Sequence, residues 1–338
     1  MTLYCAIDLH SNNNVPVVID DCDKVLFQKR LPNNLEAIQA ALEPFKPDLQ
    51  AVAVESTFNW YWLVDGLNMD GYKTLLVNTT AVQQYSGIKH TNDFTDALWL
   101  AHLMRLGILP TGYIYPPKER AVRDLLRKRL QLVQQRVRNM LSAQNQVWRS
   151  TGLNVTSKPI KAADFSILNR LSDRHAQMAV RSNLNVIAVL NDEIDKIEKC
   201  VFKQSSLKPD FRKLLTINGV GNILAQTIML ETGDISRFER VGNFASYARC
   251  VDSSRTSNNK KKGVNNKKNG NKYLAWAFVE AAHSIIRYNK TAHRFYQRKR
   301  SQCNGALATK ALAHKLARAA YFVMRDRVDF ELDKLFST

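Results

Sequence analysis

The chain opens on an apolar segment, YCAIDLH at residues 4–10, whose β-branched character predicts a strand that ends near Asp8. A second segment of the same kind, AVAVES at residues 51–56, predicts another strand that ends at Glu55. Each strand therefore carries one carboxylate at its end. Two acidic side chains in equivalent positions are the first indication of a shared site.

Two further carboxylates lie in TNDFTDALWLAHL at residues 91–103, which has the character of a helix start. The i, i+3 spacing of Asp93 and Asp96 puts both on one face of that helix. Hard oxygen ligands that converge from two strands and a helix suit Mg²⁺, the metal that phosphoryl-transfer sites commonly use. The pattern favours an enzyme that cuts nucleic acid.

The rest of the N-terminal part predicts alternating strands and helices. We expect strands at residues 3–9, 15–20, 24–30, 50–55 and 73–77, and helices at residues 34–44, 59–69 and 92–106. Three hairpin-like strands followed by a β-α-β-α pattern predict a mixed sheet with helices packed on it. This is the layout of an α/β RNase H-like fold, which does not by itself establish function.

The composition is that of a folded protein with a sizeable core, since 45% of its 338 residues are hydrophobic. We expect no membrane association, because no apolar stretch is long enough to span a bilayer and the N-terminus does not resemble a signal peptide. The five cysteines are scattered and show no CxxC spacing, which predicts reduced thiols, a cytoplasmic location and no structural zinc.

The net charge of +19 is distributed unevenly. Residues 1–115 carry 7 Lys+Arg against 12 Asp+Glu, whereas the remainder carries 42 against 18. An acidic part joined to a strongly basic part favours a metal-binding catalytic domain held on a polyanion by the rest of the molecule. The alternative is a basic surface that serves solubility alone.

Pro and Gly residues at positions 109–117 predict a domain boundary, after which the sequence becomes helical. Residues 118–149 and 174–203 have helical apolar spacing and could pair as a long antiparallel hairpin. Either an ordinary helical subdomain or a coiled-coil arm for self-association or nucleic-acid contact explains this pattern. The predicted domains are residues 1–112, 113–206 and 207–338.

The C-terminal third is predicted to be mostly helical, with two features typical of phosphate contact. Gly219 and Gly221 form an I-x-G-V-G turn before the apolar helix 222–232, which resembles a helix-hairpin-helix motif. Residues 255–272 contain seven basic residues and no acidic one, and predict a flexible loop that contacts phosphates.

The motifs together resemble one family. IDLH, AVES and D-x-x-D-A-x-x-L-A-x-L are followed by I-x-G-V-G, F-A-S-Y-A and G-N-x-x-L, in an order that covers nearly the whole chain. This set is similar to the DEDD transposases of bacterial insertion sequences, described as bridge-RNA-guided or seeker-RNA-guided serine recombinases. The resemblance implies a RuvC-like catalytic domain, a helical coiled-coil middle and a C-terminal transposase domain.

The resemblance also implies roles for individual residues. The acidic tetrad of the family corresponds here to Asp8, Glu55, Asp93 and Asp96, which would be catalytic and bind Mg²⁺. The nucleophilic serine corresponds to Ser257 when residues 244–248 and Gly263 are aligned, and Ser253 and Ser254 are close competitors. The predicted nucleic-acid contacts are Gly219, Gly221, Arg255, Lys260, Lys261, Lys262, Lys267, Lys268 and Lys272.

The partners that the resemblance implies are double-stranded DNA at the element ends and target, and a structured noncoding guide RNA. It also implies a homo-oligomer, a dimer or tetramer, in which the tetrad and the serine of different protomers form a composite site near the bacterial nucleoid. Two alternatives remain open from the residues themselves. One is a metal-dependent, Holliday-junction resolvase-like nuclease that uses water, and the other is a non-catalytic nucleic-acid-binding protein.

Overall fold

The structure is a computed structural model that describes residues 1–82, 92–251, 255–263 and 269–336. Two compact units divide the chain, residues 1–117 and residues 118–338. None of the helices in these described ranges is both long and apolar enough to cross a membrane.

The first unit is built on a mixed sheet. Its strands are β1 (Leu3–Leu9), β2 (Asn13–Ile19), β3 (Val25–Gln28), β4 (Leu31–Pro32), β5 (Leu49–Glu55), β6 (Thr74–Val77) and β7 (Thr111–Gly112). Their order is β3-β2-β1-β5-β6-β7, and β4 pairs with β2. Strands β1, β5 and β6 are parallel, whereas β2, β3 and β7 join antiparallel.

Helices cover both faces of this sheet. They are α1 (Leu35–Leu42), α2 (Tyr61–Met69), α3 (Thr79–Val82) and α4 (Asp93–Arg105), with a short 3-10 helix at Glu43–Phe45. Because side chains alternate along a strand, β1 sends Cys5, Ile7 and Leu9 into one core, whereas Ala6 packs in the other core, which contains α4. The α/β layout predicted from the sequence is confirmed, and the structure adds the short elements β4, α3 and β7.

The second unit begins with a helical arm. It consists of α5 (Pro117–Thr151), α6 (Ser157–Lys161), a 3-10 helix at Phe165–Arg170 and α7 (Arg174–Ser205). The two long helices pair antiparallel, because Arg129 bonds to Glu198 near one end of the pair and Asn183 lies 3.3 Å from Gln146 near the other. The arm is continuous with the C-terminal helices, since Leu126 of α5 and Val201 of α7 are buried in their core.

The remaining elements of the second unit are mostly helical. They are α8 (Pro209–Leu214), α9 (Asn222–Thr232), a 3-10 helix at Ile235–Arg237, α10 (Val241–Tyr247), β8 (Arg255–Ser257), β9 (Lys260–Gly263), α11 (Lys272–Tyr288), α12 (Lys290–Arg300), α13 (Gly305–Asp326) and α14 (Leu332–Phe336). Their core is centred on Phe244, Phe278 and Tyr321, which are almost completely buried. The Tyr321 hydroxyl donates to the carbonyl oxygen of Phe238 at 3.0 Å, which satisfies its polar group.

Candidate active site

The strand alternation brings Asp8 and Glu55 to the same face of the sheet. Neighbours two residues before each of them, Ala6 on β1 and Ala53 on β5, lie in the core that contains α4. Asp8 is only 4% exposed, which is unusual for a carboxylate. Both acidic groups therefore face α4 from adjacent parallel strands.

The N-terminus of α4 supplies the other two carboxylates. Asn92 caps the helix by accepting from the Thr95 N–H, and Thr95 accepts in return from the Asn92 N–H. Asp93 and Asp96 follow in the first turn, where the helix dipole favours negative charge. The cap fixes where the helix begins and so which side chains face the sheet.

The other end of α4 is anchored to the turn between β2 and β3. Arg105 donates from Nε and Nη2 to the two oxygens of Asp23, each at 2.6 Å, and the His102 Nδ1 lies 2.9 Å from Asp23 Oδ1. A bidentate arginine–carboxylate pair fixes geometry as well as contributing energy. Capping at one end and this pair at the other hold α4 in one position.

The tightest group in the cluster combines Asp8, His10 and Asp93, whose ligand-type atoms all lie within 4.8 Å of one another. His10 Nε2 lies 3.4 Å from Asp8 Oδ2 and 3.3 Å from Asp93 Oδ2. This nitrogen is buried and makes no well-aligned hydrogen bond to the described residues. Asn33 and Asn59 each donate to the His10 carbonyl oxygen at 3.0 Å, which holds the residue in place.

Crowding of like charges perturbs the remaining carboxylates. Burial raises the pKa of Glu55 to about 8, with further contributions from a hydrogen bond to Asp8 and the charges of Asp8 and Asp96. Burial and the charges of Asp8 and Asp93 likewise raise the pKa of Asp96. Asp8 and Asp96 thus lie close enough to Glu55 to raise its pKa, and Asp8 and Asp93 lie close enough to Asp96 to do the same.

Asp93 behaves oppositely because it has a cationic partner. Arg30 donates from Nη2 to Asp93 Oδ2, and this hydrogen bond holds the pKa of Asp93 below its usual range. The other nitrogen of the guanidinium, Nη1, donates to Asn13 Oδ1 at 2.8 Å. Arg30 therefore links the acidic cluster to the segment that begins β2.

Two members of this cluster escape sequence reasoning. The residue pattern suggests His10, His90 and His102 only as packing or surface residues. In the structure His10 lies beside Asp8 and Asp93 and His102 contacts Asp23, whereas His90 lies outside the described residues. The period of two along a strand puts His10 on the same side as Asp8, and this signal could have found it. Arg30 has no such signal, since its contact spans 63 residues.

The donor set fits a divalent cation. Carboxylate oxygens are the ligands that Mg²⁺ and Mn²⁺ prefer, and an imidazole nitrogen also suits Mn²⁺. A positive charge between the groups would relieve the crowding around Glu55, and the buried His10 Nε2 lies close enough to Asp8 and Asp93 to share it. Asp8, Asp93, Glu55 and Asp96 are the residues that would hold it.

The second predicted site lies on a hairpin in the other unit. Ser257 is exposed at the end of β8, paired with Lys260 at the start of β9. Asn258 and Asn259 form the two-residue turn between them with positive φ values of 50° and 57°, a conformation that asparagine tolerates and that tight hairpins require. Within the segment 255–272, for which the sequence predicts a flexible loop that contacts phosphates, this Asn-Asn pair closes a short hairpin over residues 255–263.

The predicted nucleic-acid contacts are distributed around this hairpin. Arg255 lies on β8, Lys260, Lys261 and Lys262 lie on β9, and Lys272 begins α11. The side chains of Lys260, Lys262 and Lys272 are exposed. Lys267 and Lys268 lie outside the described residues, as do the competing serines Ser253 and Ser254.

The two segments that flank the hairpin meet at its base. The Asn271 N–H donates to the Tyr247 carbonyl at 2.6 Å, and the Arg249 Nε donates to the Gly270 carbonyl at 3.0 Å. Gly270 has a φ of +87°, and a Cβ there would lie 2.4 Å from Tyr247 O. The motifs at residues 244–248 and 270–274 therefore contact each other and bring together the two ends of the basic segment.

A buried carboxylate reinforces this base. Glu231 on α9 is 1% exposed and accepts from Arg127 Nε and Nη2 at 2.6 and 2.7 Å. It also accepts from Asn271 Nδ2 at 2.7 Å, while Asn271 Oδ1 caps α11. A buried charge is tolerated only when it is paired in this way. Arg127 and Asn271 are therefore both needed to keep the charge of Glu231 buried.

The two glycines of the predicted phosphate-binding turn have different surroundings. Gly219 has a φ of +91°, and a Cβ there would lie 2.6 Å from the Ala281 carbonyl oxygen on α11. Its need for glycine is therefore explained by packing within the unit. Gly221 caps α9 in an extended conformation with open space around it, so its backbone is accessible to a ligand.

We expect divalent metal to stabilise the protein through the acidic cluster. Addition of Mg²⁺ or Mn²⁺ at about 100 times its Kd should raise the free energy of unfolding by about 2.7 kcal/mol, seen as a higher Tm. Asp8→Asn should abolish this increase, whereas Glu36→Gln on the exposed side of α1 should keep it. An equal shift in all three proteins would show that the metal binds elsewhere.

The two glycines should also respond differently to substitution. Gly219→Ala should lower the free energy of unfolding by about 1–3 kcal/mol, because it adds backbone strain and a contact with α11. Gly221→Ala should change it by less than about 0.5 kcal/mol, since the position is open and its φ suits any residue. Urea denaturation of both variants measures the difference, and equal losses would contradict this account.

Two models of known protein families match the chain. Residues 5–149 match the model of the DEDD transposases of IS110 elements, and residues 211–297 match a model described as the transposase IS116/IS110/IS902 family. No curated protein matches the chain. The α/β first unit is consistent with the RuvC-like fold of the DEDD family, which implies a divalent metal ion and DNA binding. The chain carries both domains in their order, and it is a DEDD transposase of the IS110 family, an enzyme that acts on DNA as a transposase or recombinase.

Proposed function

We propose that this transposase cleaves and exchanges DNA strands by Mg²⁺-dependent phosphoryl transfer, with Ser257 as nucleophile and a structured noncoding RNA as guide. The observation that carries the proposal is the convergence of Asp8, Glu55, Asp93 and Asp96 in one cluster. Carboxylates gathered in this way repel one another, and a bound cation would offset that repulsion.

In the proposed mechanism, Asp8, Glu55, Asp93 and Asp96 would hold a divalent cation, with His10 beside them. That cation would neutralise charge on the scissile phosphate and stabilise the transition state. Asp8 is fixed by burial on β1, and Asp93 is oriented by Arg30. Preorganised groups of this kind lower the barrier because they need little rearrangement during the reaction.

Ser257 then supplies the attacking oxygen. Its Oγ forms a bond to the phosphorus, the P–O3′ bond breaks, and the DNA 3′-hydroxyl leaves with a proton. The serine remains esterified to the 5′-phosphate until the 3′-hydroxyl of the new partner strand reverses the step. A serine hydroxyl is a weak nucleophile at neutral pH and needs a base or a metal to activate it. Lys260 is the register partner of Ser257 across the hairpin.

Serine and carboxylates lie in different units of the chain, and the family resemblance implies that they come from different protomers of a dimer or tetramer. A guide RNA that pairs with donor and target DNA would leave sequence recognition to base pairing, as in other RNA-guided systems. The basic C-terminal two thirds, with 42 Lys+Arg against 18 Asp+Glu after residue 115, supports binding of both nucleic acids.

The serine step predicts a covalent protein–DNA adduct. Wild-type protein with labelled element ends and Mg²⁺ should give an adduct that survives denaturing electrophoresis. Ser257→Ala should reduce it by at least about 1000-fold, as expected when a nucleophile is removed. Asp8→Asn should remove both the adduct and the strand break.

Matched controls identify the nucleophile and the reaction. Ser253→Ala and Ser254→Ala should keep the adduct, and loss in either one would transfer the role to that serine. Cutting that continues in Ser257→Ala without any adduct would instead support a nuclease that uses water. Unchanged function with alanine at all four carboxylates would support a non-catalytic nucleic-acid-binding protein.

The guide RNA makes a separate prediction. Protein purified from its own host should carry one structured RNA transcribed from DNA next to its gene, detectable by sequencing the co-purified RNA. Strand exchange should require that RNA and should follow changes in its pairing segments. Exchange at an unchanged rate after ribonuclease treatment would overturn RNA guidance while leaving the serine chemistry intact.

A further inference from the structure

Helices α12 and α13 form a basic groove that the proposed chemistry does not use. The α12–α13 groove has a volume of about 580 Å³ and is lined by residues of both helices and by Phe336 of α14. Its basic residues are Arg294, Arg298, Lys299, His314 and Lys315, and no carboxylate lines it. Most of this groove lies beyond residue 297, where the second family match ends.

The positive charge of this groove is uncompensated. Arg294, Arg298 and Lys299 form no ion pair with any of the residues that the structure describes. Burial and the charges of Arg318, Arg298 and Lys299 lower the pKa of Lys315, which is the response expected where cations are crowded together. A site that gathers charge in this way is stabilised by an anion.

The cations are held in place from below. Phe295 is 9% exposed and packs against Phe336, with the ring centroids 5.6 Å apart. Arg298 and Lys315 lie over its ring at 5.7 and 5.6 Å, and Lys315 Nζ donates to the Leu335 carbonyl at 2.9 Å. The charged groups therefore need little ordering on binding.

Helix stability alone does not explain this arrangement. Arg298 and Lys299 lie in the last turn of α12, where the helix dipole favours cations, but Arg294 and Lys315 lie in helix interiors and gain nothing from it. A neighbouring groove on α13 differs in charge, since Asp326, Asp329 and Glu331 line it beside its basic residues. Positive charge is thus concentrated on one side of α13.

We infer that the α12–α13 groove binds the sugar–phosphate backbone of a nucleic acid without reading its sequence, an inference that rests on the proposed nucleic-acid function. Arginine and lysine are the side chains that contact phosphates, and Arg can do so with two parallel hydrogen bonds. The Phe295 ring is buried beneath Arg298 and Lys315, so it offers no platform on which a base could stack.

The test compares two triple variants that lose the same charge. Arg294→Gln, Arg298→Gln and Lys299→Gln together remove three of the groove's cations, while Lys24→Gln, Lys29→Gln and Lys73→Gln remove three exposed lysines from the first unit. Affinity is measured against salt with a DNA duplex of arbitrary sequence and with an RNA hairpin. Circular dichroism verifies that each variant is folded.

The groove variant should bind about tenfold or more weakly, and the slope of log affinity against log salt should fall by about 2–3 for duplex DNA. The control variant should stay within about twofold of wild type. Loss with only one probe assigns the groove to DNA or to RNA. Equal losses in both variants, or none in the groove variant, would overturn the inference.

This result is independent of the serine chemistry. A groove-dependent affinity together with no covalent adduct in the wild-type protein would sink the proposed mechanism and keep the groove. Normal adduct formation together with binding that does not depend on the groove would overturn the inference about the groove and keep the proposed mechanism.

Discussion

Repulsion among clustered carboxylates, of which Asp8 is buried, is the constraint on which the catalytic unit depends. Asp8 and Glu55 are forced onto one face of the sheet by the alternation of side chains along β1 and β5, and small residues at positions 6, 51 and 53 let α4 approach that face. The helix brings Asp93 and Asp96 to the same place. A fold that gathers four acids at one point is stable there only with partial protonation, a cationic side chain or a bound cation. The first two are visible, in the raised pKa of Glu55 and in the Arg30–Asp93 contact.

The second unit solves a different problem, which is how to present a polar, highly basic segment from a helical core. Its solution is to join the ends of that segment tightly. Gly270 permits a backbone approach that a side chain would block, and Asn271 connects that backbone to buried Glu231. The sequence motifs around positions 247 and 271 therefore pair with each other, and together they support the hairpin that carries Ser257.

Much of this organisation could be predicted from residue patterns, because it depends on local periodicity. Strand ends, the capped start of α4 and the long helices of the arm all follow from spacing within about 10–30 residues. The middle segment was expected to be separate, yet its long helices share a core with the C-terminal helices through Leu126 and Val201. The contacts of Arg30 and Glu231 span 63 and 104 residues and leave no periodic trace in one sequence. Long-range pairs of this kind are where reasoning from a single chain ends.

The Arg127–Glu231 pair has a mechanical consequence. Helix α5 is continuous over 35 residues, so it extends about 52 Å at 1.5 Å per residue, and Arg127 lies near its beginning. A force applied at the C-terminal end of α5 therefore acts through a long lever arm on the region around Arg127. Glu231 is also hydrogen-bonded to Asn271. Torque on α5 is therefore transmitted to the residues that support the hairpin that carries Ser257.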